Sequence, residues 1–256
     1  MRESARFDLP CDKCDKALSC LTAKEKEVGS IMFDREYRTR PRAASSSLFP
    51  FSVMEPNLDD NAYLVEHYNK DYQGGQNIWV VSGWDLAWSE KAGGDYLAKV
   101  TCMYDQETGQ KTILDIDRWQ KLSFEQQCKL IEHHHERYND DLIVIEADSA
   151  QMIWAQYLEQ KTSLPIMRHR AGGKKDLKSG VPGLLMDLER KVWTIPYNPK
   201  SRNIDNVKAF LTEAEAFGWK NDKLEGVGEH DDLVMAWWHC NFGLERYKKI
   251  ASWGAY

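Results

Sequence analysis

Ile78-Trp79-Val80-Val81-Ser82-Gly83-Trp84-Asp85-Leu86-Ala87-Trp88 is β-rich and almost continuously apolar, the pattern of a strand buried on both faces of a sheet. Asp85 is the anomaly in it. A buried carboxylate is costly unless it is paired or bound to a cation. Downstream, residues 97–103 and 111–117 read as two further strands, and the short polar link Asp105-Gln106-Glu107-Thr108-Gly109-Gln110 reads as a hairpin. Beyond them the pattern alternates. Residues 123–138 read as an amphipathic helix, 142–146 as a strand and 150–161 as a helix with Ile153, Trp154, Tyr157 and Leu158 as its apolar residues. Pro165 to Arg170 reads as a strand, 182–191 as a helix, 192–195 as a strand and 204–218 as a helix, before a last helix opening at His230. Three strands joined antiparallel, then alternating β and α, predict an α/β domain with a mixed central sheet and helices on both faces.

Upstream the composition changes. Residues 1–75 read as a connecting segment, partly helical at 21–29 and 59–72, with a linker-like Pro41, Ala43-Ala44-Ser45-Ser46-Ser47, Pro50 stretch. Residues 76–256 read as the folded domain. Cys11, Cys14 and Cys20 make half of a zinc pattern, but no second Cys/His pair follows at finger spacing. Six scattered cysteines in 256 residues do not form a disulfide framework, and a reducing compartment fits them. The 42% hydrophobic content, with ten tryptophans, is ample for a core, while 29% charged residues match an ordinary soluble protein. No apolar run approaches the roughly 20 residues of a membrane span, and no signal peptide leads the chain. A net charge of −6 argues against a constitutive, tight nucleic-acid binder, though not against an enzyme touching DNA through a local basic strip.

Two more acidic positions join Asp85. Leu142-Ile143-Val144-Ile145-Glu146 is a short apolar strand ending in a carboxylate, with Asp148 just beyond as an alternative acidic position. Glu229-His230-Asp231-Asp232-Leu233-Val234-Met235-Ala236-Trp237-Trp238 sets adjacent carboxylates at the start of a strongly apolar helix. A simpler reading is that Asp231 caps that helix and Asp232 decorates its first turn, where backbone N–H groups favour negative charge. If strand ends bring Asp85 and Glu146 to Asp231 and Asp232, the carboxylates repel one another, and divalent ions resolve the conflict. Two ions about 4 Å apart support phosphodiester cleavage. His133-His134-His135 does not read as a metal site, because successive helical residues point about 100° apart; the triplet reads as a solvated face. Arg168, Arg170, Lys174, Lys175 and Lys178, interleaved with glycines, form a candidate strip for the DNA backbone, with a solvated loop as the plain alternative. The phosphate-loop spacing Gly-x4-Gly-Lys-Ser/Thr occurs nowhere, so no ATPase motif is present.

The meander-then-alternation order is that of the RNase H-like, or RuvC-like, fold. Over about residues 31–245 the chain resembles the nuclease domain of the large terminase subunit of tailed bacteriophages. The resemblance is carried by Phe33-Asp34-Arg35-Glu36-Tyr37, Gly83-Trp84-Asp85-Leu86-Ala87, Ile145-Glu146-Ala147-Asp148, the Lys174–Lys178 segment with Val192-Trp193-Thr194-Ile195-Pro196, and His230-Asp231-Asp232-Leu233-Val234-Met235-Ala236. It implies a two-metal endonuclease that uses Mg²⁺ or Mn²⁺ to cut concatemeric viral DNA during head filling. Asp85, Glu146 and Asp232 would be catalytic metal ligands, with Asp231 a fourth. It further implies double-stranded DNA, a packaging ATPase domain, the portal and the small terminase subunit as partners, in the host cytoplasm. Since the family's large subunits carry an N-terminal ATPase, the chain reads as an excised domain, a partial product or a split subunit. A junction resolvase or RNase H-type nuclease of the same fold, and a catalytically silent DNA-binding or scaffolding module, are the alternatives.

Overall fold

The computed structural model describes residues 17–29, 33, 47–69, 77–87, 96–148, 151–176, 179–220, 223–227 and 230–253. Cys11, Cys14, the Asp34–Tyr37 part of the upstream motif, the Ala43–Ser46 linker and Lys178 lie outside them. A seven-stranded sheet is built from β1 (Leu58–Asp59), β2 (Ile78–Asp85), β3 (Leu97–Asp105), β4 (Lys111–Trp119), β5 (Leu142–Glu146), β6 (Ile166–His169) and β7 (Trp193–Pro196). Its order is β1-β7-β4-β3-β2-β5-β6. The meander β2–β3–β4 is antiparallel, and every other pairing in the sheet is parallel. A separate antiparallel hairpin joins β8 (Phe217–Lys220) to β9 (Lys223–Gly226).

Among the described residues the α-helices are α1 (Ala17–Val28), the single turn α2 (Phe51–Met54), α3 (Phe124–Tyr138), α4 (Gln151–Lys161), α5 (Val181–Glu189), α6 (Ile204–Ala216) and α7 (Asp232–Trp253). Strand alternation sorts them into two layers. Val81 and Val144 face the larger core with Leu184, Leu185, Leu188, Val207, Phe210, Ala214 and the Leu233–Trp238 run of α7. Trp84, Ile143 and Ile145 face the other side, against Cys128 and Ile131 of α3 and Trp154, Ala155 and Leu158 of α4. Because residues two apart share a face, Asp85 follows Val81 and Gly83, and Glu146 follows Val144, toward α7.

Several expectations shift. Residues 59–69 form no helix: Leu58–Asp59 pairs with Ile195–Pro196, and an Asx turn follows, the Asn61 N–H donating to Asp59 Oδ1 at 2.9 Å. The chain then crosses the sheet, with Val65 N–H donating to the Leu114 carbonyl and Tyr68 N–H to that of Arg137. Such tertiary backbone pairing overrides a weak local helix preference. The helix expected over 204–218 stops at Ala216, where the hairpin begins; the Leu48 N–H donates to the Phe217 carbonyl at 2.7 Å. On α4, Ile153 and Tyr157 are exposed rather than part of the apolar face. The triplet on α3 is not a solvated face either. His133 is exposed and His135 half-buried, but His134 is buried against Lys99 and Thr101. Among the described residues no helix is long and apolar enough to cross a membrane.

Candidate active site

The position of α7 is set by Gly83. A Cβ added there would lie 2.1 Å from the Ala236 carbonyl oxygen and 2.2 Å from the Cys240 nitrogen, so the helix backbone rests directly on the strand. Further along the helix, a Cβ at Gly243 would lie 2.7 Å from both Val81 and Val144. The Cys240 thiol donates to the Val81 carbonyl at 3.1 Å. Helix numbers therefore fall as β2 numbers rise. From Gly83 to Asp85 the strand advances about 6.6 Å, and from Ala236 back to Asp232 the helix advances about 6 Å. The two carboxylates arrive at the same level.

They face each other there. Burial pushes the Asp85 carboxyl well up, and Glu146, Asp232 and Asp231 add to it by repulsion, with an Asp85–Glu146 hydrogen bond besides. Asp232 is buried and accepts the Tyr96 N–H at 3.1 Å; His230 Nδ1 lies 3.4 Å from the same oxygen. The Asp231 carboxylate accepts the Gly226 N–H at 3.2 Å and lies 3.4 Å from Lys174 Nζ. The alternative acidic position behaves differently: Asp148 acts on His169, while Glu146 acts on Asp85.

This set is all oxygen and carries excess negative charge, which suits a hard divalent cation. Among the described residues no group of three or more His, Cys, Asp or Glu side chains is placed to hold a metal ion. The fit therefore rests on the charge and chemistry of the donors.

The basic strip is brought only partly to this place. Lys174 reaches Asp231 and sits 5.0 Å over the Phe217 ring; Lys175 is exposed, 5.7 Å from the centre of the Trp219 ring. Arg170 is exposed at the end of β6, and Arg168 is exposed but forked onto Glu159.

Sequence reasoning missed Glu213, Arg118 and Tyr96. Glu213, on α6, is buried and accepts the Leu233 N–H at 2.8 Å and Arg118 at 3.0 Å. Burial raises its pKa to about 7; Asp232 and Asp231 raise it too, against the lowering effects of the Leu233 N–H and Arg118. Its signal was present: Glu213 sits at helical spacing from Val207 and Phe210, on the buried face. Tyr96 contributes through a backbone N–H, which no side-chain pattern reveals.

Fold and site together define an α/β domain with carboxylates gathered at the carboxyl ends of two adjacent parallel strands. The chain belongs to the Terminase RNaseH-like domain family, whose profile matches residues 82–242. Its fold is similar to that of the large terminase nuclease from thermophilic phage G20c with bound magnesium. That pair is 19% identical, with a TM-score of 0.56, and the alignment covers 77% of this chain and 97% of that one. The nuclease domain of the P22 large terminase is 12% identical, with a TM-score of 0.53 and 79% and 95% coverage. For the large terminase of another thermophilic bacteriophage the values are 9%, 0.60, 89% of this chain and 52% of that one. No curated protein sequence matches the chain.

Proposed function

We propose that the chain is a metal-dependent DNA endonuclease, the cutting domain of a phage packaging machine acting on double-stranded DNA. The observation that carries this reading is the convergence of Glu146, Asp231 and Asp232 on Asp85, whose carboxyl is pushed well up by burial and by those neighbours. Support comes from the family and from fold neighbours: the G20c nuclease structures hold magnesium, cobalt or zinc. Asp85, Glu146 and Asp232 would hold the ions, Mg²⁺ or Mn²⁺, with Asp231 as a fourth ligand. When bound, a pair of such ions activates a water and stabilises the departing oxygen.

The chain's own residues prepare the place. Tyr96 N–H orients the Asp232 carboxylate, and Gly226 N–H with Lys174 orients that of Asp231. Lys174 brings the basic strip to the acidic cluster, where it draws a phosphate toward the carboxylates. Arg170, Lys175 and Lys178 extend that path along the DNA backbone, and Arg168 joins when released from Glu159. An ATPase domain, the portal and the small terminase subunit are the proposed partners, in the host cytoplasm.

The test is conversion of supercoiled plasmid to nicked and linear forms with Mg²⁺, Mn²⁺ or EDTA. Wild type is expected to cut only with metal, and Asp85→Asn and Asp232→Asn to lose at least about a hundredfold in rate, as removal of charge-stabilising groups does. Cutting that survives in both variants, or none in wild type, would bring the scaffolding reading forward.

A further inference from the structure

A closed circuit of contacts surrounds Asp232. Arg118 Nη1 donates to Glu213 Oε1 at 3.0 Å, and Glu213 Oε2 accepts the Leu233 N–H at 2.8 Å. Leu233 follows Asp232, whose Oδ2 accepts the Tyr96 N–H at 3.1 Å. The Tyr96 ring in turn carries the Arg118 guanidinium 4.6 Å above its centre. Four elements meet in this ring: the lead into β3, β4, α6 and the start of α7. The sheet register supports it, since Arg118 pairs with Ala98 and Ala98 with Asp85. Cross-strand partners share a face, so Arg118 stands level with Asp85, two strands away.

The arrangement solves a specific problem. The first turn of a helix has N–H groups without intrahelical partners, and nearby carboxylates are drawn to them. Asp231 and Asp232 are the carboxylates nearest to that turn along the chain. Turned back onto their own helix, they would not face Asp85. Glu213 instead supplies an acceptor for the Leu233 N–H from a different helix, and Arg118 keeps that buried carboxylate from standing uncompensated. Only 4% of the Glu213 side chain is exposed, so water does not substitute for it.

We infer that Glu213 and Arg118 are positioning residues: they cap α7 from outside, so that the Asp232 carboxylate points at the metal-binding cluster. The inference rests on the nuclease reading, and it assigns these two residues no contact with DNA or metal. Its test needs a readout apart from cutting. Mn²⁺ binding is measured by calorimetry on wild type, Glu213→Ala and Arg118→Ala. Leu114→Ala, from the separate core under Tyr138, serves as a control compared at matched distance below the melting temperature.

Both ring variants are expected to bind Mn²⁺ roughly tenfold to a hundredfold more weakly than the control, the usual loss when residues behind metal ligands are removed. Exchange of the Leu233 amide should accelerate in Glu213→Ala. The double variant should bind no more weakly than the worse single one, because the two residues act as one unit. If Glu213→Ala does not fold, the partly exposed Arg118→Ala carries the test alone. Mn²⁺ affinity equal to the control in the ring variants, with wild type binding and Asp232→Asn not, overturns the inference and leaves the nuclease reading standing. Wild type that fails to bind Mn²⁺ overturns both.

Discussion

At Gly83 the absence of a side chain decides where a helix lies. A methyl there has no room between the strand and the Ala236 carbonyl, and both neighbours are backbone. Gly83→Ala should therefore cost at least about 1–3 kcal/mol of stability, the range for overpacking, read as a lower denaturant midpoint. It should also displace Asp232 from Asp85. Asp85 itself is held against its own charge. Because its folded pKa is raised, ionisation near neutral pH opposes folding. In EDTA, Asp85→Asn should raise stability by about 1 kcal/mol, within the usual gain on relieving a strained functional site. A lower melting temperature for Asp85→Asn would show that the carboxylate is a structural asset.

At the scale of elements, β3, β4 and α3 are locked by a second polar network, on the sheet face away from α7. Lys99 Nζ donates to Asp115 at 2.6 Å and to Asp117 at 3.2 Å, and Tyr138 Oη donates to Asp115 at 2.9 Å. His134 Nδ1 faces the same ammonium at 3.4 Å, and its Nε2 lies 3.1 Å from Thr101 Oγ1. An ammonium only donates, so Nδ1 accepts and the ring is neutral with its proton on Nε2. Lys99→Met would leave Asp115 buried with reduced compensation and should cost about 3–5 kcal/mol, checked by chemical denaturation. This network explains why the histidine triplet misled. The apolar positions of α3 marked its buried side, but a histidine received by Lys99 and Thr101 of β3 leaves no periodic trace. The β8–β9 hairpin was hidden for a related reason. Phe217 prolongs the helical pattern of α6, and its pairing with β9, with the bridge from Ser47 to Gly218, is what makes the segment a strand.

For the whole molecule, buried titratable groups set how stability responds to acid. Burial lowers the pKa of His134, His169 (to about 4) and His239, so all three are neutral in the fold at neutral pH. Burial pushes the Asp140 carboxyl up, but His134, His135 and the Ser82 hydroxyl outweigh it and hold Asp140 well below the usual range. In each case the unfolded chain binds more protons, so stability rises with pH. The histidine contribution is complete above about pH 6.5, the ordinary histidine value, and falls on acidification toward the folded values. The Asp140 contribution persists lower, fading below about pH 4. Melting temperatures measured from about pH 8 down to about pH 3.5 should show a decline beginning near the ordinary histidine value, and a flat profile would contradict the buried neutral histidines. The proposed DNA binding also depends on the whole surface. With a net charge of −6, affinity should be weak and strongly salt-dependent. Neutralising Lys174, Lys175 and Lys178 together should flatten the salt slope by about one unit for each phosphate that is no longer paired with a lysine; an unchanged slope removes the strip from the DNA path.

Local pattern in the chain was enough to determine the mixed α/β sheet and the acidic candidates. Apolar runs such as Val80–Trp84 and Leu142–Ile145 have nowhere to go but a sheet interior, and a carboxylate at the end of such a run stands out against them. The apolar start of α7 likewise demanded a helix packed on the sheet, with Asp231 and Asp232 at its mouth. What only the tertiary structure decided is which groups meet. Glu146 acts on Asp85 while Asp148 acts on His169, and β5 lies between β2 on one side and β6 on the other. Arg118, Glu213 and the Tyr96 amide close around Asp232 from positions far apart in the chain. Their contacts depend on register and on the close approach at Gly83, and such long-range geometry has no signature in local sequence.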